Sequence, residues 1–322
     1  MYMYWQYLPL IPTTILHLIL SLRERKTLPP PGRLIDLGGY KVHLWVKGTG
    51  KTTVVLDHSL GGIEGYFLID AIAAHTKVCI YDRPGYGWSD PSPKSRCSGT
   101  IVQELDLLLT KAEIEPPFIL VGDSFGSYNV RLYANQYPEK VQGIVLTDGL
   151  HESGMLNLPG TIAAVKYLFI SGFMMSVFGS LFGIIRLLGI LSLLEVIKPE
   201  LRKFSQEQRQ KVKRSLYHGY HWITMARELI GLNKSSRQVQ VAHNFADLPI
   251  ISIKSQTFFK SSIFTLPLPL KSIDRLRDKM HHQLSLLSVN FTEISANKSS
   301  HFVWTDEPQI IVQAIAQLLD QD

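Results

Sequence analysis

The chain has 322 residues, 45% of them hydrophobic and 19% charged, with a formal net charge of +6. That apolar share is ample for a core and suits one large α/β domain with an insertion, or two domains. Two cysteines, Cys79 and Cys97, give no disulfide framework, and no Lys/Arg cluster interleaved with aromatics points to nucleic acid; the positive balance suits an anionic membrane surface.

From the N-terminus, Trp5 to Leu22 carries no charged side chain, and Arg23-Glu24-Arg25-Lys26 follows at once. The run approaches the roughly 20 apolar residues that cross a bilayer, though Gln6, Pro9, Pro12 and His17 interrupt it. A secretory leader has its basic residues before the apolar stretch; here they come after it. Residues 1–27 are therefore expected to associate with a membrane through 5–22, leaving the rest of the protein on the cytoplasmic side. An amphipathic or domain-packed helix is the alternative. Leu28-Pro29-Pro30-Pro31-Gly32 reads as a stiff linker.

Arg33 to Asp36 and Tyr40 to Val46 read as two strands joined by a Gly38-Gly39 turn. Thr52 to Leu56 and Lys77 to Tyr81 are the third and fourth, the latter holding Cys79 as a small buried residue. Ile101 to Leu109 is apolar at helical spacing and ends before Pro116-Pro117. Pro117 to Val121 is the next strand, Ser127 to Ala134 a helix start, and Val141 to Asp148 a further strand. This alternation implies a mostly parallel sheet covered on both faces.

From 151 to 245 the alternation stops. Thr161 to Ile197 is intensely apolar and has no charge from Tyr167 to Ile185. Its glycines and serines make it poor as one continuous helix, so a helical cap is expected rather than a second span, with lipid contact on its outer face as an intermediate reading. Lys198 to Asn233, with Tyr217, Tyr220 and Trp222, completes the insertion. The sheet resumes at Leu248 to Ile253. An irregular stretch with Pro267 and Pro269 leads to a helix from Ile273 to Leu287 and a last strand from Asn290 to Ser295. The closing helix runs from Asp306 to Leu319, with Pro308 in its first turn. The core is thus expected in 28–150 and 246–322 and the cap in 151–245.

Gly122-Asp123-Ser124-Phe125-Gly126 falls between the fifth strand and its helix. A small-x-Ser-x-small segment there is a nucleophile elbow, which lifts the serine hydroxyl clear of the sheet. Small residues must stand two before and two after the nucleophile. For Asp123 those are Val121 and Phe125, so the spacing selects Ser124. A serine needs a base, and the base needs an orienting acid. The base is expected in the loop after the last strand, where His301 stands. His281 and His282 fall on a helix, and His58, His151 and His243 fit less well. For the acid, Lys254 to Phe259 offers no carboxylate; Asp148, at the end of the strand after the elbow, is preferred, with Asp274 as the alternative. An oxyanion site needs two preorganised N–H groups. Phe125, after the nucleophile, offers one; Leu60, in the Asp57-His58-Ser59-Leu60-Gly61-Gly62 turn, is the choice for the other.

From about Leu28 to the end the chain resembles the α/β-hydrolase superfamily. The resemblance rests on Pro30 to Leu34, Leu56 to Gly62, Tyr81-Asp82-Arg83-Pro84-Gly85-Tyr86-Gly87-Trp88-Ser89, Leu120 to Gly126 and Ser300-His301-Phe302. It looks closest to bacterial-type members with an N-terminal hydrophobic segment. It implies the α/β-hydrolase fold: an eight-stranded, mostly parallel sheet with a helical cap inserted between strands 6 and 7. It also implies a Ser-His-acid triad, no cofactor and no metal. The chain departs from the family pattern at Asp123, where His is usual, at Ser59, where Gly is usual, and in lacking the acid after the seventh strand. An acid at the end of the sixth strand is familiar in the haloalkane dehalogenase branch.

The expected function is a serine hydrolase cleaving a carboxylic ester, thioester or amide through an acyl-enzyme on Ser124. The apolar cap suggests a small, lipophilic acyl substrate. The alternatives are a non-catalytic membrane-associated protein that binds an apolar ligand, and an acyltransferase that uses an alcohol in place of water.

Overall fold

The computed structural model describes residues 10–62, 65–260, 265 and 268–320; residues 5–9 of the expected membrane segment and Pro267 lie outside them. Among the described residues, eight strands form one sheet in the order β1-β2-β4-β3-β5-β6-β7-β8. β1 (Arg33–Asp36) and β2 (Lys41–Lys47) make an antiparallel hairpin, and β2 runs antiparallel to β4 (Lys77–Tyr81). β3 (Thr53–Asp57), β5 (Phe118–Asp123), β6 (Val141–Thr147), β7 (Ile250–Ser255) and β8 (Phe291–Ala296) run parallel with β4. The hairpin turns as its Gly-Gly pair predicts. Gly38 and Gly39 have φ of +99° and +92°, and Asp36 Oδ1 accepts from both N–H groups.

The central strands are continuous apolar runs because both faces are covered. Val55 and Leu120 pack towards α3 (Ser98–Lys111) and α4 (Gly126–Gln136). Val54, Leu56, Ile119 and Val121 pack towards α2 (Gly65–Ala73) and α14 (Pro308–Leu319). α2 was not foreseen from the sequence: it is nine residues long and apolar nearly all round, so it shows no helical stripe. α12 (Leu270–Leu284) lies between β7 and β8, and the short α13 (Val303–Asp306) precedes α14.

The insertion between β6 and β7 is helical. It contains α5 (Glu152–Leu156), α6 (Gly160–Leu181), α7 (Ile184–Ile190), α8 (Leu194–Ile197), α9 (Gln206–Tyr217), α10 (Gly219–Ile230) and α11 (Leu232–Val239). The expectation that Thr161 to Ile197 makes a poor continuous helix fails for its first part. α6 runs unbroken through Gly172 and Gly179, because packing against α10 outweighs two propensity penalties of about 1 kcal/mol each. It ends at Gly183, whose φ is +74°. Among the described residues, α6 is the helix long and apolar enough to cross a membrane, with a mean hydropathy of 1.6. The N-terminal helix, α1 (Leu10–Thr27), packs against α7.

Candidate active site

β5 ends at Asp123 and α4 starts at Gly126, so the turn is made by Ser124 and Phe125. Ser124 has φ +49°, a left-handed conformation that costs a non-glycine residue about 1–2 kcal/mol. Its neighbours hold it there. The Ser124 N–H donates to Thr147 O of β6 at 3.0 Å, and Ser127 donates its N–H and its hydroxyl to Ser124 O at 3.0 and 2.6 Å. The two flanking glycines leave no room for a side chain. A Cβ on Gly122 would meet Val130 Cγ2 at 2.6 Å and the Gly126 backbone at 2.8 Å; one on Gly126 would collide with the carbonyl oxygen of Asp57.

That second contact brings the elbow against the turn after β3. Arg83, buried, organises this turn. Its Nη1 donates to Asp57 Oδ1 at 2.5 Å and to His58 O at 2.6 Å, and its Nη2 donates to Ser59 O at 2.7 Å. Its Nε and Nη2 reach Glu228 of α10 at 3.0 and 3.1 Å. The carbonyls of His58 and Ser59 are thereby fixed on the guanidinium. Among the described residues, no backbone carbonyl accepts from the N–H of Leu60 or Phe125. Gly61, with φ +71°, supplies the reversal. The guanidinium thus locks the turn even though Ser59 stands where a glycine is usual. His58 is buried, its ring Nδ1 accepting from the Gly65 N–H at 3.3 Å, and burial, with the nearby Arg83 charge, pushes its pKa down to about 3.

β6 ends one residue before Asp148, which has φ +41° and donates its N–H to Ile253 O at 2.8 Å. Its carboxylate Oδ2 accepts from His301 Nδ1 at 2.6 Å. Its other oxygen accepts from His281 Nε2 at 3.2 Å and from the Ser255 N–H at 3.3 Å, with Arg277 Nη1 at 3.9 Å. Burial pushes the Asp148 carboxyl up, but the hydrogen bonds and charges of His281 and His301 outweigh it and hold the group well below the ordinary carboxylate range. For His301, burial works against the charged ring; the bond and charge of Asp148, with the charge of Asp123, outweigh burial and raise its pKa. Because Nδ1 donates to Asp148, the neutral ring carries its lone pair on Nε2.

The loop bearing His301 is tied down on two sides. The ring stacks on Phe258, with centroids 4.1 Å apart, and the His301 N–H donates to Phe258 O at 3.2 Å. Three residues on, Trp304 Nε1 donates to Thr147 Oγ1 at 2.6 Å, and that hydroxyl donates to Asp123 Oδ1 at 2.8 Å. This chain joins the histidine loop to the ends of β5 and β6, which carry Ser124 and Asp148. Asp274, the alternative acid, faces elsewhere. Its carboxylate accepts from the Phe258 N–H at 2.8 Å and from Thr257 Oγ1 at 3.1 Å, so it braces the loop whose phenyl ring lies on His301.

Sequence reasoning had set His281 aside as a helical residue and had given Arg277 and Phe258 no role. A signal was present: on α12 the buried stripe is Ile273, Arg277, Met280, His281 and Leu284. Two polar residues on a core-facing stripe mark a buried partner, here Asp148.

Residues 52–173 match the model of the α/β hydrolase fold family. Among curated proteins, YbdG of Bacillus subtilis is 28% identical over 130 residues, covering 39% of this chain and 40% of that protein. The chain spans about half or less of the length of the first such relatives it matches. Among solved structures, the Cif epoxide hydrolase of Acinetobacter nosocomialis superposes with a TM-score of 0.69 at 12% identity, covering 95% of this chain and 96% of that one. The enol-lactonase of Burkholderia xenovorans does so with a TM-score of 0.57 at 14% identity, covering 89% and 100%. At these identities the structures speak for the fold alone. Together with the family match over residues 52–173, they give this chain the α/β-hydrolase fold.

Proposed function

We propose that this protein is a serine hydrolase acting on carboxylic esters with lipophilic acyl groups. One observation carries the reading: a strained serine at a strand end, and a histidine bonded at 2.6 Å to a carboxylate at the end of the adjacent strand. In this reading Ser124 Oγ attacks the acyl carbon while His301 Nε2 takes its proton. Asp148 holds the ring in the required tautomer and stabilises the imidazolium that forms. The N–H groups of Leu60 and Phe125 bind the developing oxyanion, each such donor being worth about 3 kcal/mol of barrier. The C–O bond to the leaving alcohol breaks, and the alkoxide takes the proton from His301. Water then gives a proton to His301 and attacks the acyl carbon; as the bond to Ser124 Oγ breaks, His301 returns the proton to that oxygen, releasing the acid and restoring the serine. Asp123 accepts from Thr147 Oγ1, and the spacing of Gly122 and Gly126 favours Ser124 over it as the nucleophile.

A lipophilic acyl group is favoured by an aromatic series leading away from His301. Phe258 lies 4.7 Å from Phe259, Phe259 lies 6.4 Å from Phe169 of α6, Phe169 lies 6.2 Å from Phe173, and Phe173 lies 6.2 Å from Trp222 of α10. A fluorophosphonate probe tests the reading. The intact protein, with lipid vesicles present, is expected to take one label, lost in Ser124→Ala. Absence of label from the wild-type protein overturns the proposal. A screen of acyl-chain lengths on nitrophenyl esters is expected to favour long chains.

A further inference from the structure

We propose that α1 and α6–α8 together form a docking plate that lies on an anionic lipid bilayer, rather than a single N-terminal anchor holding an otherwise soluble body.

The strongest observation is that α1 is inside out. Its polar residues face the protein: Thr13 Oγ1 donates to Phe182 O at 2.8 Å, and Arg186 of α7 reaches His17 Nδ1 at 3.1 Å, Ser21 Oγ at 3.0 Å and Glu24 Oε2 at 2.8 Å. These residues recur at helical spacing and make one stripe. The opposite stripe, Ile11, Ile15, Leu18, Ile19 and Leu22, is more than half exposed throughout. In water this arrangement inverts the usual amphipathic order. It is the expected order when the medium outside is more apolar than the interface inside.

α6 adds to the same surface. Only 11% of its most apolar 18-residue window is buried. Its exposed face carries Leu168, Met175, Phe178 and Leu181, with Met175 74% exposed. Beyond Gly183, Ile190 of α7, Leu191 just after it, and Val196 and Ile197 of α8 continue it. α1 packs on α7, and α7 packs on α6 and α8, so these faces adjoin. α6 is packed along α10, with Phe173 on Trp222, and would have to leave it to span a bilayer; the geometry therefore favours a helix lying in the interface.

Charge selects an anionic bilayer over a second copy of the chain. Within residues 10–27 and 160–197 the two acidic residues are both paired inward, Glu24 with Arg186 and Glu195 with Lys213. The exposed charges at the end of α1 are Arg23, Arg25 and Lys26. A uniformly basic edge beside an apolar face repels its own copy and attracts acidic headgroups. Phe169 and Phe173 sit on α6 itself, so the plate is the outer wall of the aromatic series that ends at His301. This deepens the ester-hydrolase reading by making the bilayer the source of substrate.

Vesicle flotation of the full chain tests the surface without requiring turnover, and fluorophosphonate labelling scores the active-site reading separately. The wild-type protein is expected to float with phosphatidylcholine vesicles containing phosphatidylglycerol, and less with phosphatidylcholine alone. Met175→Glu with Phe178→Glu, and separately Ile15→Glu with Ile19→Glu, should each cut the floated fraction on the order of tenfold. Arg25→Glu with Lys26→Glu should remove the preference for the anionic vesicles. Unchanged circular dichroism and melting show that the variants fold. The plate is overturned if the α6 pair floats like the wild type while the α1 pair does not float. It is overturned equally if the wild-type protein stays in solution as a dimer with vesicles present.

Discussion

Asp148 shows how a carboxylate's role depends on what surrounds it. The side chain is 1% exposed, yet it is held ionised because two imidazoles and a backbone N–H face it. If it orients His301, Asp148→Asn leaves the shape intact but presents the wrong tautomer, and kcat should fall by about 10⁴-fold. Asp274→Asn removes only a brace of the Thr257–Phe258 loop and should cost far less; the reverse order in a nitrophenyl ester assay would reassign the acid. The same residues set a pH dependence. In the proposed mechanism the base is the neutral ring, so activity is expected to rise with pH as His301 loses its proton. Its pKa is raised above the ordinary 6.5, so the acid limb of kcat/KM should lie above that value. Asp148 is the largest of the influences that raise it, so in Asp148→Asn the residual limb should move to lower pH. A wild-type limb below 6.5 would contradict this electrostatic account.

At the scale of elements, the elbow was legible because its requirements are local. A strand, a φ-positive serine and a helix need small residues two positions either side, and spacing alone reveals that. Gly126→Ala should lower the melting temperature and abolish labelling of Ser124, because the new Cβ meets the Asp57 backbone, which cannot move aside as a side chain would. Gly172→Ala on α6 is the matched control: nothing lies within 4 Å of that position, and removing a helical glycine should stabilise by about 0.5–1 kcal/mol. Equal loss in both would mean that close approach is not what the elbow glycine provides. α6 was misread for a related reason. Propensity counted its glycines, whereas packing along α10 decides whether the helix continues. A helix was expected over Ile273 to Leu287, but that expectation does not say that Arg277 and His281 of α12 face Asp148.

For the whole molecule, the decisive contacts join residues far apart in the chain. Arg83 binds Asp57, 26 residues away, and Glu228, 145 residues away, tying the turn after β3 to the cap. Arg186 binds Glu24, 162 residues away, tying α1 to the same cap. Both guanidiniums are nearly fully buried, which is tolerable only because carboxylates meet them. The sequence by itself determined the alternating strands and helices, the turn at Ser124 and the position of His301 after the last strand. These follow from periodicity, glycine spacing and chain order, all of which are local or ordinal. Only the tertiary structure decided which carboxylate meets His301, which guanidinium locks the turn facing the elbow, and which side of α1 looks outward. Those are pairings of burial and charge between distant segments, and no window of the chain contains both partners.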